Sequence, residues 1–251
     1  MIKIFVLTLK ESTDRQKFME EQFNEHSIPF EFIYAINGKL LSENEKSKLY
    51  DHQKAKKLNR ELNPGEIGCS LSHKKIYEKI INESIQKAIV MEDDVTMRPD
   101  FYSLLDYFNS VDLKNTVIKL ERCYGKKIDD NNEKCARFTL WHRRKIDNKY
   151  FIGQPLNDPY LTWAYYIDFT AACILYSLLP KVFLYADSWW YFRKYIKLRM
   201  INQAIVNDNE DIFNSLIVDN DIILLDNQKK DKLFITKDIK KIFKYFFLIF
   251  H

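Results

Sequence analysis

The chain has 251 residues, 46% of them hydrophobic, so it is long and apolar enough to bury a real core as one large domain or two small ones. That composition excludes an intrinsically disordered chain, and 18 Phe and 15 Tyr against 5 Gly exclude a repeat or low-complexity protein. The net charge of +4 is modest and the lysines are spread along the sequence, which gives no reason to expect nucleic-acid binding.

Residues 2–8 read as a first strand, too quickly charged to be a signal peptide. Ser12-Thr13-Asp14 opens a helix that carries Phe18, Met19, Gln22 and Phe23 on one face. Pro29 ends that unit, and residues 30–36 form a second strand running into the turn Asn37-Gly38. Ser42-Glu43-Asn44-Glu45 has capping-box form and starts a lysine-rich helix, which Asn63-Pro64-Gly65 breaks. From Ser70 an amphipathic helix follows, with Leu71, Ile76, Tyr77, Ile80 and Ile81 at helical spacing. It delivers the chain to Ala88-Ile89-Val90-Met91, a buried strand that breaks into Glu92, Asp93 and Asp94.

Residues 100–108 are expected as a further helix and 116–121 as a strand ending on Glu121. Periodicity dissolves between Arg122 and about Tyr160, a stretch of polar and basic residues with Lys126, Lys127, Arg143, Arg144 and Lys145. Residues 162–179 read as strand then helix, ended by Pro180; Asp187-Ser188-Trp189-Trp190 and a basic amphipathic segment come next. Residues 221–225 and 232–236 are two late strand candidates. The basic, aromatic tail 239–251 suits either a surface-lying membrane anchor or a last helix packed on the core. Cys69, Cys123, Cys135 and Cys173 form no CxxC pair and no zinc spacing. They are expected as reduced, buried small hydrophobes of a cytoplasmic protein, with a Cys123–Cys135 bridge as the alternative.

Strands alternating with helices imply an α/β fold with a mostly parallel central sheet, in which ligands bind beyond the strands' carboxyl ends. The acids 92–94 and Glu121 both fall at such ends. Carboxylates there are hard ligands for Mg²⁺ or Mn²⁺, ions that usually bridge to substrate phosphates. The alternative for an isolated acidic trio is a solvated turn.

These pieces in this order resemble glycosyltransferase family 25, the bacterial lipooligosaccharide and lipopolysaccharide core transferases related to the collagen galactosyltransferases. The resemblance rests on IKIFVLTLKESTDRQKFM, FEFIYAINGKLL, NPGEIGCSLSHKKIYEKI, AIVMEDDV, VIKLE and a degenerate YYIDFTAACILYSLLPK…ADSWW passage, spanning roughly residues 2–190. It implies a GT-A-like catalytic domain over residues 1–190, with 122–160 as its acceptor-side loop region. Residues 191–251 are expected as a helical, basic extension.

By the same resemblance Asp94 and Glu92 are the metal residues for Mn²⁺ or Mg²⁺, with Glu92 also orienting its neighbours, and Asp93 touches the ribose or a metal-bound water. Thr8, Leu9 and Arg15 line the nucleotide pocket, although Arg15 also fits an exposed first-turn arginine. Gly65 and Gly68 permit close backbone approach at a helix N-terminus that can hold an anionic donor; the alternative is a pair of turn glycines. His73 is a donor-site contact or a packed histidine. Relatives invert the anomeric centre, so a carboxylate base is needed: Asp187 first, Glu121 second, the latter otherwise a salt-bridge partner of Lys119 or Arg122. Trp189 and Trp190 offer faces for sugar stacking, with a core role for one of them.

The resemblance further implies a UDP-sugar donor, UDP-galactose first, and a lipooligosaccharide or lipopolysaccharide core acceptor. The setting it suggests is the cytoplasmic face of the inner membrane, with peripheral contact. The chain departs from the family at Thr162-Trp163-Ala164-Tyr165, where relatives often read Thr-His-Ala-Tyr, and so lacks a histidine ligand there. Two other readings remain: a Mg²⁺-dependent phosphohydrolase using the same acids, and a relative that binds nucleotide sugar without turnover.

Overall fold

The structure is a computed structural model that describes residues 1–121, 137–139 and 141–209. The Cys123–Cys135 pair, Lys126, Lys127, the two late strand candidates and the tail therefore lie outside the described residues.

The first strand, β1 (Lys3–Thr8), is buried from its second residue on and leads into α1 (Thr13–Glu25). After β2 (Glu31–Tyr34) and a 3-10 turn (Gly38–Leu40) come two short helices, α2 (Glu43–Leu49) and α3 (His52–Lys57). The long helix α4 (Pro64–Asn82) feeds β3 (Lys87–Glu92), and a tight turn reverses the chain into β4 (Val95–Met97). Then follow α5 (Pro99–Ser110), β5 (Thr116–Lys119), β6 (Arg144–Lys145) and β7 (Phe151–Gly153). The described part closes with β8 (Ala164–Asp168), α6 (Phe169–Leu178), α7 (Trp189–Phe192), β9 (Lys197–Ile201) and β10 (Val206–Asp208).

Eight strands form one sheet in the order β2-β1-β3-β8-β5-β9-β7-β6, and β10 pairs with β4 alone. Strands β1, β2, β3, β5, β6 and β9 share a direction, while β8 and β7 run against them. Side chains alternate across the sheet, so its two faces carry two cores. Phe5, Leu7, Val90 and Tyr165 pack with Tyr77, Ile80 and Leu175 of α4 and α6. Ile4, Val6, Ile89 and Met91 pack with Met19, Phe23, Phe101 and Phe108 of α1 and α5. Cover on both faces explains why β3 reads as an unbroken apolar run. Gln22, on the apolar face of α1, is also accounted for: its amide donates to the Val95 carbonyl and accepts from the Met97 N–H, extending β4 sideways.

Two expectations are corrected. Helix α4 starts at Pro64, six residues before Ser70, because Asn63 and Glu66 form a reciprocal capping box and proline is pre-set for the first helical position. Residues 197–201 and 206–208, expected in a helical extension, are strands. Leu198 and Met200 are buried while Lys197 and Arg199 are not, a period of two that inserts β9 between β5 and β7.

Inside α4, Gly68 lies against the backbone of the 3-10 turn. A Cβ there would stand 2.5 Å from both the Gly38 nitrogen and the Ile36 carbonyl oxygen. Backbone cannot swing aside as a side chain can, so Gly68→Ala is expected to cost about 1–3 kcal/mol of stability. Chemical denaturation measures this, and an unchanged midpoint would refute the close contact.

Candidate active site

The carboxyl ends of β1 and β3 lie side by side, with Leu7 the register partner of Glu92. The chain therefore sets Thr8, Leu9 and the acids 92–94 next to one another. Thr8 is buried, with its hydroxyl on the Leu9 carbonyl; that carbonyl also accepts from Gln16 at 2.8 Å and fixes the entry to α1. From the first turn of α1, Arg15 reaches back so that one nitrogen lies 2.9 Å from both Asp93 Oδ1 and Asp94 Oδ2. Arg15 is only 8% exposed, so it is a buried bridge between two carboxylates and not a surface arginine. Burial raises the Asp94 pKa, against the pull of Arg15. Asp94 Oδ1 is buried and has no hydrogen-bond partner.

Glu92 turns to other partners. Thr162 donates its hydroxyl to Glu92 Oε1 at 2.5 Å, and His73 Nε2 stands 3.9 Å from the same oxygen. Burial first, then the charges of Asp94 and Asp93, push Glu92 up to about 8. Burial and the nearby Lys119 push His73 down to about 3, which keeps it neutral. His73 is thus a packed residue whose Nδ1 lies 2.8 Å from the Tyr165 hydroxyl.

These opposite shifts contribute opposite slopes to the pH dependence of stability, and the raised Asp94, Glu121 and Asp187 add to the Glu92 slope. His73 binds its proton less tightly when folded, so stability rises with pH between about 3 and the ordinary histidine value. Glu92 binds its proton more tightly when folded. Its contribution is fully present below the ordinary carboxylate value and is lost as pH rises through about 8. A broad maximum on the acid side of neutrality is expected in denaturation series with chelator. The alkaline fall should flatten in Glu92→Gln; an unchanged fall in that variant would contradict the assignment.

A second knot lies beside the first, centred on Leu161, whose φ of 70° is left-handed. A bulky residue holds such a conformation only where its surroundings demand it. The Leu161 carbonyl accepts from Lys119 Nζ at 2.5 Å and from Trp189 Nε1 at 2.8 Å, while its N–H donates to Asp187 Oδ2 at 3.1 Å. Lys119 also pairs with Glu121, and both side chains are fully buried. Glu121 Oε2 accepts from the Leu120 and Ala164 N–H groups as well. Glu121 therefore takes the salt-bridge role with Lys119. Asp187 keeps partial exposure, and burial raises its pKa against the pull of Lys119 and Arg60. Trp189 is core, whereas the half-buried Trp190 ring has the Arg60 guanidinium 5.5 Å from its centre.

The two knots share one neighbourhood, since Glu121 adds to the shift of Glu92 and Lys119 to that of His73. Other candidates fall outside it. Gly68 faces the 3-10 turn, and the α4 N-terminus is satisfied by its own capping box, with Glu66 in its first turn. Arg143, Arg144 and Lys145 are exposed at the far edge of the sheet. Five strand spacings, about 24 Å, separate β6 from β3. Three site residues have no individual role that the sequence predicts: Thr162 and Tyr165 stand in the stretch that departs from the family pattern, and Asn209 lies beyond the resemblance. Thr162 and Tyr165 hold Glu92 and His73, and the Asn209 N–H holds the Asp94 carbonyl at 3.0 Å after the β10–β4 pairing.

The described residues form an α/β fold with a mostly parallel sheet and carboxylates gathered beyond its strand ends, where ligands of such sheets bind. The sequence pattern of glycosyltransferase family 25 (LPS biosynthesis protein) matches residues 1–190, and the chain belongs to that family. It is 30% identical over 128 residues to human procollagen galactosyltransferase 2, covering 48% of this chain and 20% of that protein. It is likewise 30% identical over 118 residues to a putative glycosyltransferase of Haemophilus influenzae, covering 47% of this chain and 40% of the relative. The match thus spans a fifth to two-fifths of these relatives' lengths. Among solved structures, a glycosyltransferase involved in glycosylation of the major capsid of PBCV-1 superposes with a TM-score of 0.38 and 13% identity. That superposition covers 76% of this chain and 73% of the other.

Proposed function

We propose that this chain is a metal-dependent inverting glycosyltransferase that moves a hexose from a UDP-sugar, galactose first, to a lipooligosaccharide or lipopolysaccharide core acceptor. Family membership supports transfer from a nucleotide-sugar donor to a glycan. Galactose follows the printed activity of the human relative, and the acceptor class follows the family description. The observation that carries the reading is the partnerless, buried Asp94 Oδ1 beside the Arg15-bridged carboxylates. An acceptor-only oxygen in that position suits a hard divalent cation, which needs only one or two protein carboxylates when phosphates complete its shell.

Asp94 would hold Mn²⁺ or Mg²⁺, which would stabilise the charge gathering on the departing diphosphate; Glu92, turned to Thr162 and His73, would support the acidic turn without binding that ion. Arg15 holds Asp93 and Asp94 at a fixed spacing, so the cluster is preorganised before the donor arrives. Thr8 and Leu9 line the nucleotide side. Asp187 accepts the proton of the acceptor hydroxyl as that oxygen bonds to C1. The bond from C1 to the diphosphate breaks on the opposite face, and the configuration inverts. Its raised pKa makes Asp187 a better base than an ordinary aspartate. A phosphohydrolase would need a second free carboxylate cluster, and the pairing of Glu121 with Lys119 removes the nearest candidate. No helix among the described residues is long and apolar enough to cross a membrane; peripheral contact through the tail remains part of the proposal.

The test is a thermal-shift titration with UDP, GDP and CMP, each with and without Mn²⁺. UDP is expected to stabilise the protein only with metal, and Asp94→Ala to abolish that shift. A metal-independent UDP shift, or one that survives in Asp94→Ala, would overturn the reading.

A further inference from the structure

On the face of α4 turned toward the end of β3 stand Cys69 and His73, one helical turn apart. With Glu92 they present a thiol sulfur, an imidazole nitrogen and a carboxylate oxygen within 4.8 Å of one another. A spacing of i and i+4 puts two side chains on one helix face, one above the other. We propose that Cys69, His73 and Glu92 form a second metal site, for a borderline-soft divalent cation of the Zn²⁺ class, distinct from the Asp94 position that faces the donor diphosphate.

Two further observations point to a ligand there. His73 is 1% exposed, and its Nε2 is buried without a hydrogen-bond partner. Leaving such an atom unpaired is costly, and a metal ion at that nitrogen removes the cost. The opposite ring nitrogen is held by the Tyr165 hydroxyl, which in turn donates to Tyr77. This is how ligating histidines are oriented: one nitrogen is fixed by an outer partner, so the other presents its lone pair to the metal. The set also selects its metal. Thiolate and imidazole favour zinc over magnesium, manganese or calcium, which take all-oxygen shells.

The geometry needs little adjustment. Tetrahedral ligands about 2.0–2.3 Å from zinc lie roughly 3.5 Å from one another, so atoms within 4.8 Å need close by at most about 1.3 Å. Cys69 and Glu92 both keep some exposure, which supplies an entry path and leaves a fourth position open to water. Binding releases the thiol proton to solvent as the sulfur–metal bond forms, so affinity rises with pH. Lys119 adds positive charge nearby, but its ammonium is neutralised by Glu121 and bonded to Leu161. The loaded site would pin α4 to the end of β3, the strand that carries the donor-side acids.

The test uses the full chain and cobalt as the probe. Co²⁺ is titrated into reduced, chelator-stripped protein while the thiolate-to-cobalt absorption band is followed, and Zn²⁺ is then added in competition. One equivalent per chain is expected to develop the band and to be displaced by Zn²⁺. Cys69→Ser should lose the band, Glu92→Gln should weaken binding at least tenfold, and Tyr165→Phe should weaken it by about ten- to a hundredfold. A Cys123→Ser/Cys135→Ser/Cys173→Ser protein keeps only Cys69, so it must retain the band even if Cys69→Ser fails to fold. Absence of the band in that protein, or its persistence in a folded Cys69→Ser variant, overturns the proposal. Asp94→Ala separates this site from the donor reading, because it should leave the cobalt band intact while abolishing the Mn²⁺-linked UDP shift.

Discussion

Lys119→Met is expected to lower the unfolding free energy by about 3–5 kcal/mol, the range for breaking a buried ion pair from one side. Methionine keeps most of the volume of the lysine stem, so the change isolates the ammonium. Lys119 and Glu121 are both fully buried. Without the ammonium, Glu121 retains two backbone N–H donors but faces its desolvation without a countercharge. Burial already raises its pKa. The variant should therefore recover part of its deficit at acid pH, where Glu121 can take up a proton. Lys119→Met/Glu121→Gln should regain most of the loss, because no buried charge is then left alone. Equilibrium denaturation of the two single variants and the double settles the matter. A single-variant loss below about 1 kcal/mol would mean that water reaches the pair and that the knot around Leu161 is held some other way.

The structural weight of this pair also shows what a sequence makes visible and what it hides. The trio 92–94 was legible because a strand ending in three acids is a local pattern, and its neighbourhood with Thr8 and Arg15 followed from parallel β1–β3 pairing. The choice between an exposed and a buried Arg15 was not legible. It depends on whether α1 folds back over the turn after β3, a matter of tertiary packing. Glu121 had the same difficulty: a strand-end carboxylate looks alike in sequence whether it meets substrate or Lys119.

Position Leu161 shows the limit more sharply. Nothing in a leucine announces a left-handed backbone, since glycine or asparagine is the usual occupant. Only the convergence of Lys119, Trp189 and Asp187 on its two backbone groups explains it. In the sequence Thr162 and Tyr165 stand out only as part of a stretch that departs from the family pattern, yet they bind Glu92 and His73 because β8 runs antiparallel between β3 and β5. An antiparallel insertion of this kind leaves no trace in period or composition. Strands β9 and β10 are hidden for a different reason: short segments with alternating charge suit an amphipathic helix as well as a strand.

Asp187→Asn is expected to reduce the transfer rate by about 10²–10⁴ while leaving metal-linked nucleotide binding unchanged. Asparagine retains an oxygen to accept from the Leu161 N–H, so the left-handed turn and its contacts with Lys119 and Trp189 persist. What disappears is the capacity to take a proton from the acceptor hydroxyl. In the parent enzyme the base must be ionised, so the rate should rise with pH through the Asp187 pKa, which burial holds above the ordinary aspartate value. That acid limb should vanish in the variant. The contrast with Glu121 gives the experiment its force. Both carboxylates are raised by burial and both lie near Lys119, but only Asp187 keeps exposure through which an acceptor can approach. Glu121→Gln should therefore change stability with little effect on the rate of the surviving folded protein, and Asp187→Asn should do the reverse. If Asp187→Asn kept the parent rate and pH profile, Asp187 would be only a backbone anchor for Leu161, and the base would have to be sought elsewhere.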